Sequence, residues 1–309
     1  MQALFEVVAP VFLVIAAGYG AVRLGWFSAQ AVDGLMAFAL RFAVPALLFL
    51  ALAQIDLRSG FDLAMMLAFY VGALVSFFGG MFGARFLFGR DWQDSVAIGF
   101  AALFSNSLLL GLPITERAYG PEALVGNYAI IAIHTPFCYL LGITTMEFVR
   151  SKGGGILRTL GSIAVAMLRN PLVIGMLAGV VFNLSGLPVP GVAEDALRLL
   201  VAAALPAALF AMGGILQRYR IEGDLRLIGW VCALSLVVHP SVTYGLATLG
   251  GVDTAGLRSA VLNAAMAPGI NSYLFADLYG RARRTAASAV LIGTTTLMLS
   301  AALWIILLP

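Results

Sequence analysis

The sequence predicts an all-α membrane protein, and three observations carry the prediction. Of its 309 residues, 61% are hydrophobic and 11% are charged, whereas a soluble domain usually carries about 25% charged residues. The mean hydropathy is +1.00. Apolar runs of about 20 residues alternate with short charged connectors, which is typical of membrane-spanning helices. We therefore expect membrane lipid to surround most of the chain.

The apolar runs predict ten transmembrane helices. The predicted spans are 3–24, 32–54, 62–88, 92–120, 123–149, 166–187, 192–216, 225–249, 254–280 and 285–308. The segment 150–165 contains Lys152, three consecutive glycines and Arg158, and we interpret it as a cytoplasmic linker. It divides the chain into a first five-helix repeat, 1–149, and a second, 166–309.

The distribution of Lys and Arg predicts the orientation. Connectors after odd-numbered spans hold 13 of these residues, and connectors after even-numbered spans hold 4. Because cytoplasmic loops carry the excess of positive charge, the connectors after odd-numbered spans are predicted to be cytoplasmic. Both termini then lie outside the cytoplasm.

The two halves show an internal repeat. Pro10 and Pro171 are 161 residues apart, and so are the similar segments 45–49 and 206–210. The pairs Tyr119-Gly120 and Tyr279-Gly280 are 160 apart. Because each half has an odd number of spans, the second half enters the membrane with reversed polarity. The sequence therefore predicts two inverted repeats related by an axis in the membrane plane.

Spans four and nine are predicted to be broken helices. Each contains helix breakers, hydroxyls and amides near its midpoint. The candidate substrate-binding residues are Ser105, Asn106, Gly111 and Pro113 in span four, and Asn263, Pro268, Gly269, Asn271 and Ser272 in span nine. Backbone that leaves a helix at membrane depth is tolerated where it lines a cavity or is buried in protein. The half-helices after the breaks would point N–H groups and positive dipole ends at one pocket, which favours a carboxylate.

Several other residues are candidates for gating or coupling. Arg41 is the only charge well inside a span, and we assign it, with Pro45, a substrate or gating role. The alternative is that Arg41 snorkels to the cytoplasmic interface. Glu116 and Asp277, beyond the two breaks, are candidate coupling groups for a proton or sodium, and uncoupled flux driven by the membrane potential is the alternative to proton coupling. His134 and His239 are interpreted as polar residues that pack helices.

The remaining features favour a protein that is not an enzyme. No nucleophile triad, phosphate loop, metal-ligand spacing or disulfide framework is found in the sequence, so no cofactor or metal is expected. Nucleic acid is not an expected partner, because the positive residues lie in connectors. Gly79/Gly83 and Gly175/Gly179 have the spacing of close helix packing. We expect that packing inside the protomer, and a homodimer interface is the alternative.

Motifs along the whole chain resemble those of the auxin efflux carrier family, within the bile acid/arsenite/riboflavin transporter superfamily. The resemblance rests on the segments 42–49, 105–113, 119–120, 170–175, 186–188, 206–210, 271–276 and 279–280. The Asn-x-x-x-x-Gly-x-Pro element from Asn106 to Pro113 is the most specific of them. Pro268 falls one place later than the family's usual proline. The short linker is similar to that of bacterial members, since plant members carry a long loop there.

This resemblance implies a fold and a function. The implied fold has ten helices in two inverted repeats, with broken helices four and nine crossing at the midplane. The implied activity is secondary transport of a small organic anion across a bacterial inner membrane by elevator-like alternating access. Such anions include malonate, malate and auxin-like acids. Helices 3–5 and 8–10 would form the moving core, and helices 1, 2, 6 and 7 the scaffold. A sodium-coupled symporter of the bile-acid type and a non-transporting membrane sensor or scaffold are the alternatives.

Overall fold

The computed structural model describes residues 2–54, 62–150, 165 and 168–309. Within these ranges the chain is helical, and its one extended pairing is an antiparallel bridge between Ser105 and Pro268. The predicted linker residues Lys152, 153–155 and Arg158 lie outside the described residues.

The helices follow the predicted apolar runs closely. Their bounds are α1 Gln2–Arg23, α2 Ala29–Gln54, α3 Leu63–Phe86, α4a Trp92–Leu103, α4b Leu112–Tyr119, α5 Val125–Arg150, α6 Pro171–Ser185, α7 Gly191–Leu216, α8 Leu225–Leu249, α9a Thr254–Ala264, α9b Ile270–Tyr279 and α10 Arg283–Leu307. Single π-helical turns interrupt α2 at Ala39–Ala43 and α8 at Leu234–Val238, and a third, Ser107–Gly111, leads into α4b.

Seven helices in the described residues are long and apolar enough to cross a membrane: α1, α2, α3, α5, α7, α8 and α10. The other three predicted spans differ for physical reasons. The fourth and ninth are each divided into two shorter helices, and α6 is described over 15 residues. The protein is thus an all-helical multi-pass membrane protein, and the full count of ten spans stays a prediction.

Side-chain caps set where many of these helices begin. A cap oxygen accepts a hydrogen bond from a first-turn amide that has no partner within the helix. The capping residues are Ser28, Asp62, Asp91, Asn170, Asp224 and Asp253. Because these residues stand in the connectors, the helix starts are encoded locally.

The chain divides into two compact units. One contains Met1–Val8, Phe61–Ile163 and Tyr219–Pro309, and the other contains Ala9–Gly60 and Ala164–Arg218. The first unit includes α3 to α5 and α8 to α10. The second includes α2, α6, α7 and most of α1.

Three glycine contacts bring the helices of the second unit together. A Cβ on Gly179 in α6 would lie 2.6 Å from the carbonyl oxygen of Phe49 in α2. A Cβ on Gly18 in α1 would clash with the carbonyl of Phe210 in α7. Gly175 likewise packs on the Pro45 carbonyl.

In the first unit Gly79 and Gly83 pack on Leu234 and Trp230 of α8. Both predicted glycine pairs therefore lie in helix contacts within the chain.

Candidate functional site

The two broken helices meet at their breaks. Helix α4a ends at Leu103 and α9a ends at Ala264. The backbone N–H of Asn106 donates to the Ala267 carbonyl, and the backbone N–H of Gly269 donates to the Phe104 carbonyl, each at 2.9 Å. These two bonds flank the Ser105–Pro268 pair and form the antiparallel bridge. Backbone that leaves both helices is thus satisfied by the opposite break.

In the first break the polar residues stand at the turn itself. Ser105 and Asn106 are buried, with 1% and 7% of their surfaces exposed. Asn106 precedes the π-helical turn and has non-helical backbone angles, φ −80° and ψ 53°. Gly111 ends that turn, and Pro113 lies two residues later in the helix that continues from the turn into α4b. Gly111 and Pro113 are therefore past the break rather than in it.

In the second break the polar side chains flank the turn. Asn263 lies in the last turn of α9a, whereas Asn271 and Ser272 lie in the first turn of α9b. Pro268 and Gly269 are in the break, and Gly269 stands at the N-terminal cap of α9b. The turn itself is built from backbone and small or apolar residues.

Helix α5 contributes two side chains to the crossing. The Ser105 Oγ lies 2.8 Å from the Ser107 Oγ and 3.4 Å from the Nε2 of His134, which is 3% exposed. The Tyr139 hydroxyl donates to the Asn271 Oδ1 at 3.2 Å. One side chain of α5 thus reaches the first break, and another reaches the half-helix after the second.

Helix α8 supports the second break through a hydrogen bond. The Ser235 Oγ donates to the Met266 carbonyl at 3.1 Å. Ser235 belongs to the π-helical turn that precedes Pro240. Because Pro240 has no amide hydrogen, the carbonyl of Leu236 is left without its helical partner. That carbonyl accepts from two α10 side chains, those of Ser300 and Trp304, at 3.0 and 3.1 Å.

Two buried polar atoms near the crossing have no hydrogen-bond partner among the described residues. They are the Oδ1 of Asn263 and the Oγ of Ser272, both on fully buried residues. The Asn263 Nδ2 donates to the Ser259 carbonyl, so its oxygen faces the opposite way. A Cβ on Gly111 would lie 2.7 Å from that oxygen. Glycine at this position therefore lets helices four and nine approach closely.

The geometry suits a small anion. The half-helices after the breaks begin at Ser107 and Ile270, and both start at the bridge. The first amides of a helix have no partner one turn earlier, and they carry the positive end of the helix dipole. Two such ends meeting at one buried point provide N–H donors and positive potential for a carboxylate.

Comparisons with known proteins identify the family of this chain. The sequence profile of a family described as "Membrane transport protein" matches residues 3–305. The chain belongs to this family. The predicted relationship to auxin efflux carriers is thereby confirmed.

Similar curated proteins include transporters from bacteria and archaea. A Rhizobium meliloti protein named "Putative malonate transporter" is 27% identical over 95% of this chain and 92% of its own length. An "Uncharacterized transporter" of Methanothermobacter thermautotrophicus is 27% identical over 98% of both chains. The mouse "Lysosomal cholesterol signaling protein" is 28% identical over 68% of this chain and 25% of its own length. Membership of this transporter family implies a small-molecule substrate.

The other predicted site residues of this transporter lie outside the two breaks. Glu116 is exposed in α4b, and Asp277 is exposed in α9b, where it pairs with Arg283 at 3.1 Å. Arg41 and Pro45 belong to the other compact unit, where Arg41 is exposed and Pro45 is buried against Gly175. Within the described residues, no group of three His, Cys, Asp or Glu side chains could hold a metal ion.

Three residues at the crossing were not predicted as site residues: His134, Tyr139 and Ser235. His134 and Tyr139 flank Pro136 in α5, and Ser235 precedes Pro240 in α8. A polar residue within five positions of an intramembrane proline is a usable signal, because that proline frees a carbonyl and perturbs the helix locally. Their contacts with the breaks are long-range, and so the spacing alone does not reveal them.

Proposed function

We propose that this protein is a secondary transporter of a small organic anion, a mono- or dicarboxylate such as malonate, malate or an auxin-like acid. The observation that carries the proposal is the Ser105–Pro268 bridge. It brings the N-terminal ends of two half-helices to one buried point, where a carboxylate has N–H donors and a favourable helix dipole.

The amides of Asn106 and Asn271 would hold the carboxylate, with Ser105 and Ser272 beside them. An amide nitrogen donates to a carboxylate oxygen, and a hydroxyl can rotate to do the same. The name of the Rhizobium meliloti relative makes malonate the first anion to test.

Inverted repeats are supported by a contact that occurs twice. The contact of Gly179 with Phe49 has a counterpart in that of Gly18 with Phe210. Gly18 and Gly179 are 161 residues apart, and Phe49 and Phe210 are also 161 apart. Two copies of one fold, related by the predicted repeat offset, would produce this pair of contacts.

Elevator-like movement is supported by the two compact units. The unit that contains the crossing has α3 to α5 and α8 to α10, which are the helices that the family resemblance assigns to a moving core. We propose that the other unit, with α2, α6, α7 and most of α1, is the scaffold.

The proposed orientation is supported by ion pairs within the first unit. Arg90 pairs with Asp224, Arg281 with Asp91, and Arg284 with Glu222. These pairs join the connectors after spans three, seven and nine, which the charge count assigns to the cytoplasm. We propose a bacterial inner-membrane location with both termini outside the cytoplasm.

The test is transport of a carboxylate panel in proteoliposomes, with malonate and malate included. Counterflow and solid-supported-membrane current should detect flux of at least one carboxylate in the wild type. Asn106→Ala and Asn271→Ala should each reduce it at least tenfold, whereas Asn127→Ala removes a buried amide that bonds to Thr115 and should leave flux intact in folded protein.

Wild-type flux in both site variants would contradict the site assignment. Flux that requires sodium at fixed membrane potential would favour the bile-acid type of symporter. Tight carboxylate binding without flux would favour a sensor.

A further inference from the structure

His134 contacts the first break directly. Its Nε2 lies 3.4 Å from the Ser105 Oγ, and Ser105 forms the bridge to Pro268. Its ring packs on Phe104 of the break, with centroids 4.9 Å apart. The imidazole therefore lies beside the point where the proposed carboxylate would bind.

The other titratable groups around the imidazole are a tyrosine, a cysteine and a second histidine. Helix α3 presents Tyr70, whose ring centroid is 6.4 Å away, and α5 itself presents Cys138, whose Sγ is 3.6 Å from Nδ1. From α8, His239 faces it across the ring of Phe69. The break contributes hydroxyls, Ser105 and Ser107. None of the ion pairs among the described residues involves His134.

This arrangement links a proton to the anion. A protonated imidazole in this buried place would be a charge without a protein counter-ion, which is strongly unfavourable. A carboxylate at the crossing would supply the missing negative charge. The imidazolium Nε2–H would donate to the Ser105 oxygen, and the Ser105 hydroxyl could then donate onward to the anion. By thermodynamic linkage, if anion binding strengthens proton binding by some factor, proton binding strengthens anion binding by the same factor.

We infer that His134 takes up one proton when the carboxylate binds, so that the transporter moves the anion together with a proton. This inference rests on the proposed function and adds the coupling ion and its residue. The proton comes from water on the side where the anion binds and returns to water on the side where the anion is released.

The binding test measures proton uptake by calorimetry. Malonate is titrated into purified wild-type protein at pH 7.5 in two buffers of different ionisation enthalpy, which gives the number of protons taken up per malonate. We expect about one for the wild type and for His239→Gln, and about none for His134→Gln. Between pH 7 and 8.5 the wild-type affinity should rise about tenfold for each unit of decreasing pH, since one proton is bound with each anion.

His239→Gln is the matched control, because His239 is also buried and its Nε2 contacts the Phe69 carbonyl at 3.2 Å, away from the break. Malonate binding without proton uptake in the wild type would overturn the inference and leave the proposed function standing. That measurement needs no variant, so a misfolded His134→Gln protein cannot obscure it. Uptake that persists in folded His134→Gln would also overturn it.

Flux gives an independent result. With the membrane potential held at zero, a tenfold inward proton gradient should drive malonate to about a tenfold accumulation in wild-type proteoliposomes and to none with His134→Gln. Equal accumulation in both would overturn the inference. A wild type that neither binds nor transports any carboxylate of the panel would instead overturn the proposed function, and the inference with it.

Discussion

The two breaks meet at one junction but differ in which groups form them. In the first break, polar side chains lie at the turn: Ser105 and Asn106 are in it, and His134 contacts it from α5. In the second, the turn around Pro268 is shaped by backbone and packing, and its Met266 carbonyl is held by Ser235 of α8.

The difference indicates that the two breaks have different roles. Polar side chains at the first turn can change partners when an anion arrives, whereas a proline-containing turn supported by neighbouring helices changes shape less easily. We therefore expect the first break to determine affinity for the substrate and the second break to keep the junction in place.

The largest effect is expected from the two asparagines. Asn106→Ala should lower kcat/KM for malonate about 100-fold, and Asn271→Ala about tenfold, because a hydrogen bond to a charged group contributes about 1.5–3 kcal/mol. Asn271 should matter less, since its side chain accepts from Tyr139 and lies one residue inside α9b. Initial rates of uptake into proteoliposomes measure both values. Equal losses, or a larger loss for Asn271→Ala, would contradict the claim that the first break determines affinity for the substrate.

Close packing at the breaks gives the next effect, this time on stability. A Cβ on Gly293 of α10 would lie 2.7 Å from the Cδ of Pro268, a rigid ring, whereas a Cβ on Gly111 meets the amide of Asn263 at the same distance. Overpacking costs about 1–3 kcal/mol, and we expect Gly293→Ala to fall higher in that range than Gly111→Ala. Thermal unfolding in detergent measures the two.

Gly245→Ala is the control for both glycine variants, because nothing lies within 4 Å of a Cβ at that position. It should unfold at or slightly above the wild-type temperature, since alanine favours a helix over glycine. If Gly293→Ala were as stable as Gly245→Ala, the second break would not be rigidly packed.

A smaller effect is expected at Ser235. Ser235→Ala removes the hydrogen bond to the Met266 carbonyl, and the loss should be about 1 kcal/mol of stability. Because the second break holds the junction in place, turnover should fall severalfold while the KM for malonate changes little. Ser235→Thr keeps the hydroxyl and should restore turnover. A change confined to KM would place Ser235 in substrate binding instead.

The smallest effect is expected outside the crossing. Asp277→Asn breaks an exposed ion pair with Arg283, and such pairs contribute about 0–1 kcal/mol. Transport of malonate, and its response to a proton gradient, should stay within twofold of the wild type. Loss of the proton response in this variant would move coupling from His134 to Asp277.

Much of the fold could be predicted from the sequence, because the apolar runs and many of the helix starts are encoded locally. The caps at Asp62, Asp91 and Asp253 and the breakers in spans four and nine are examples. The residues that form the turn of the first break are harder to predict. Gly111 and Pro113 resemble breakers, yet they lie past the first break, inside the helix that runs from the π-helical turn at Ser107–Gly111 into α4b.

The contacts that complete the site could not be predicted in this way. The bonds of Ser235 to Met266 and of Tyr139 to Asn271 join residues 31 and 132 positions apart. Their geometry depends on how three helices pack, which no local pattern reports. The sequence favours a packing role for His134, and its contact with Ser105, 29 positions away, follows only from the folded arrangement.

The central claim is that the two breaks meet and form one site, and a disulfide tests it most directly. In protein with Cys138 and Cys232 replaced by alanine, Ser105→Cys and Pro268→Cys stand opposite each other in the bridge, within the range that a disulfide spans. A membrane-permeant oxidant should cross-link this pair within one chain and stop residual malonate transport until reduction, whereas Ser105→Cys with Ser300→Cys should stay reduced. No cross-link, or equal cross-linking of both pairs, would contradict the claim.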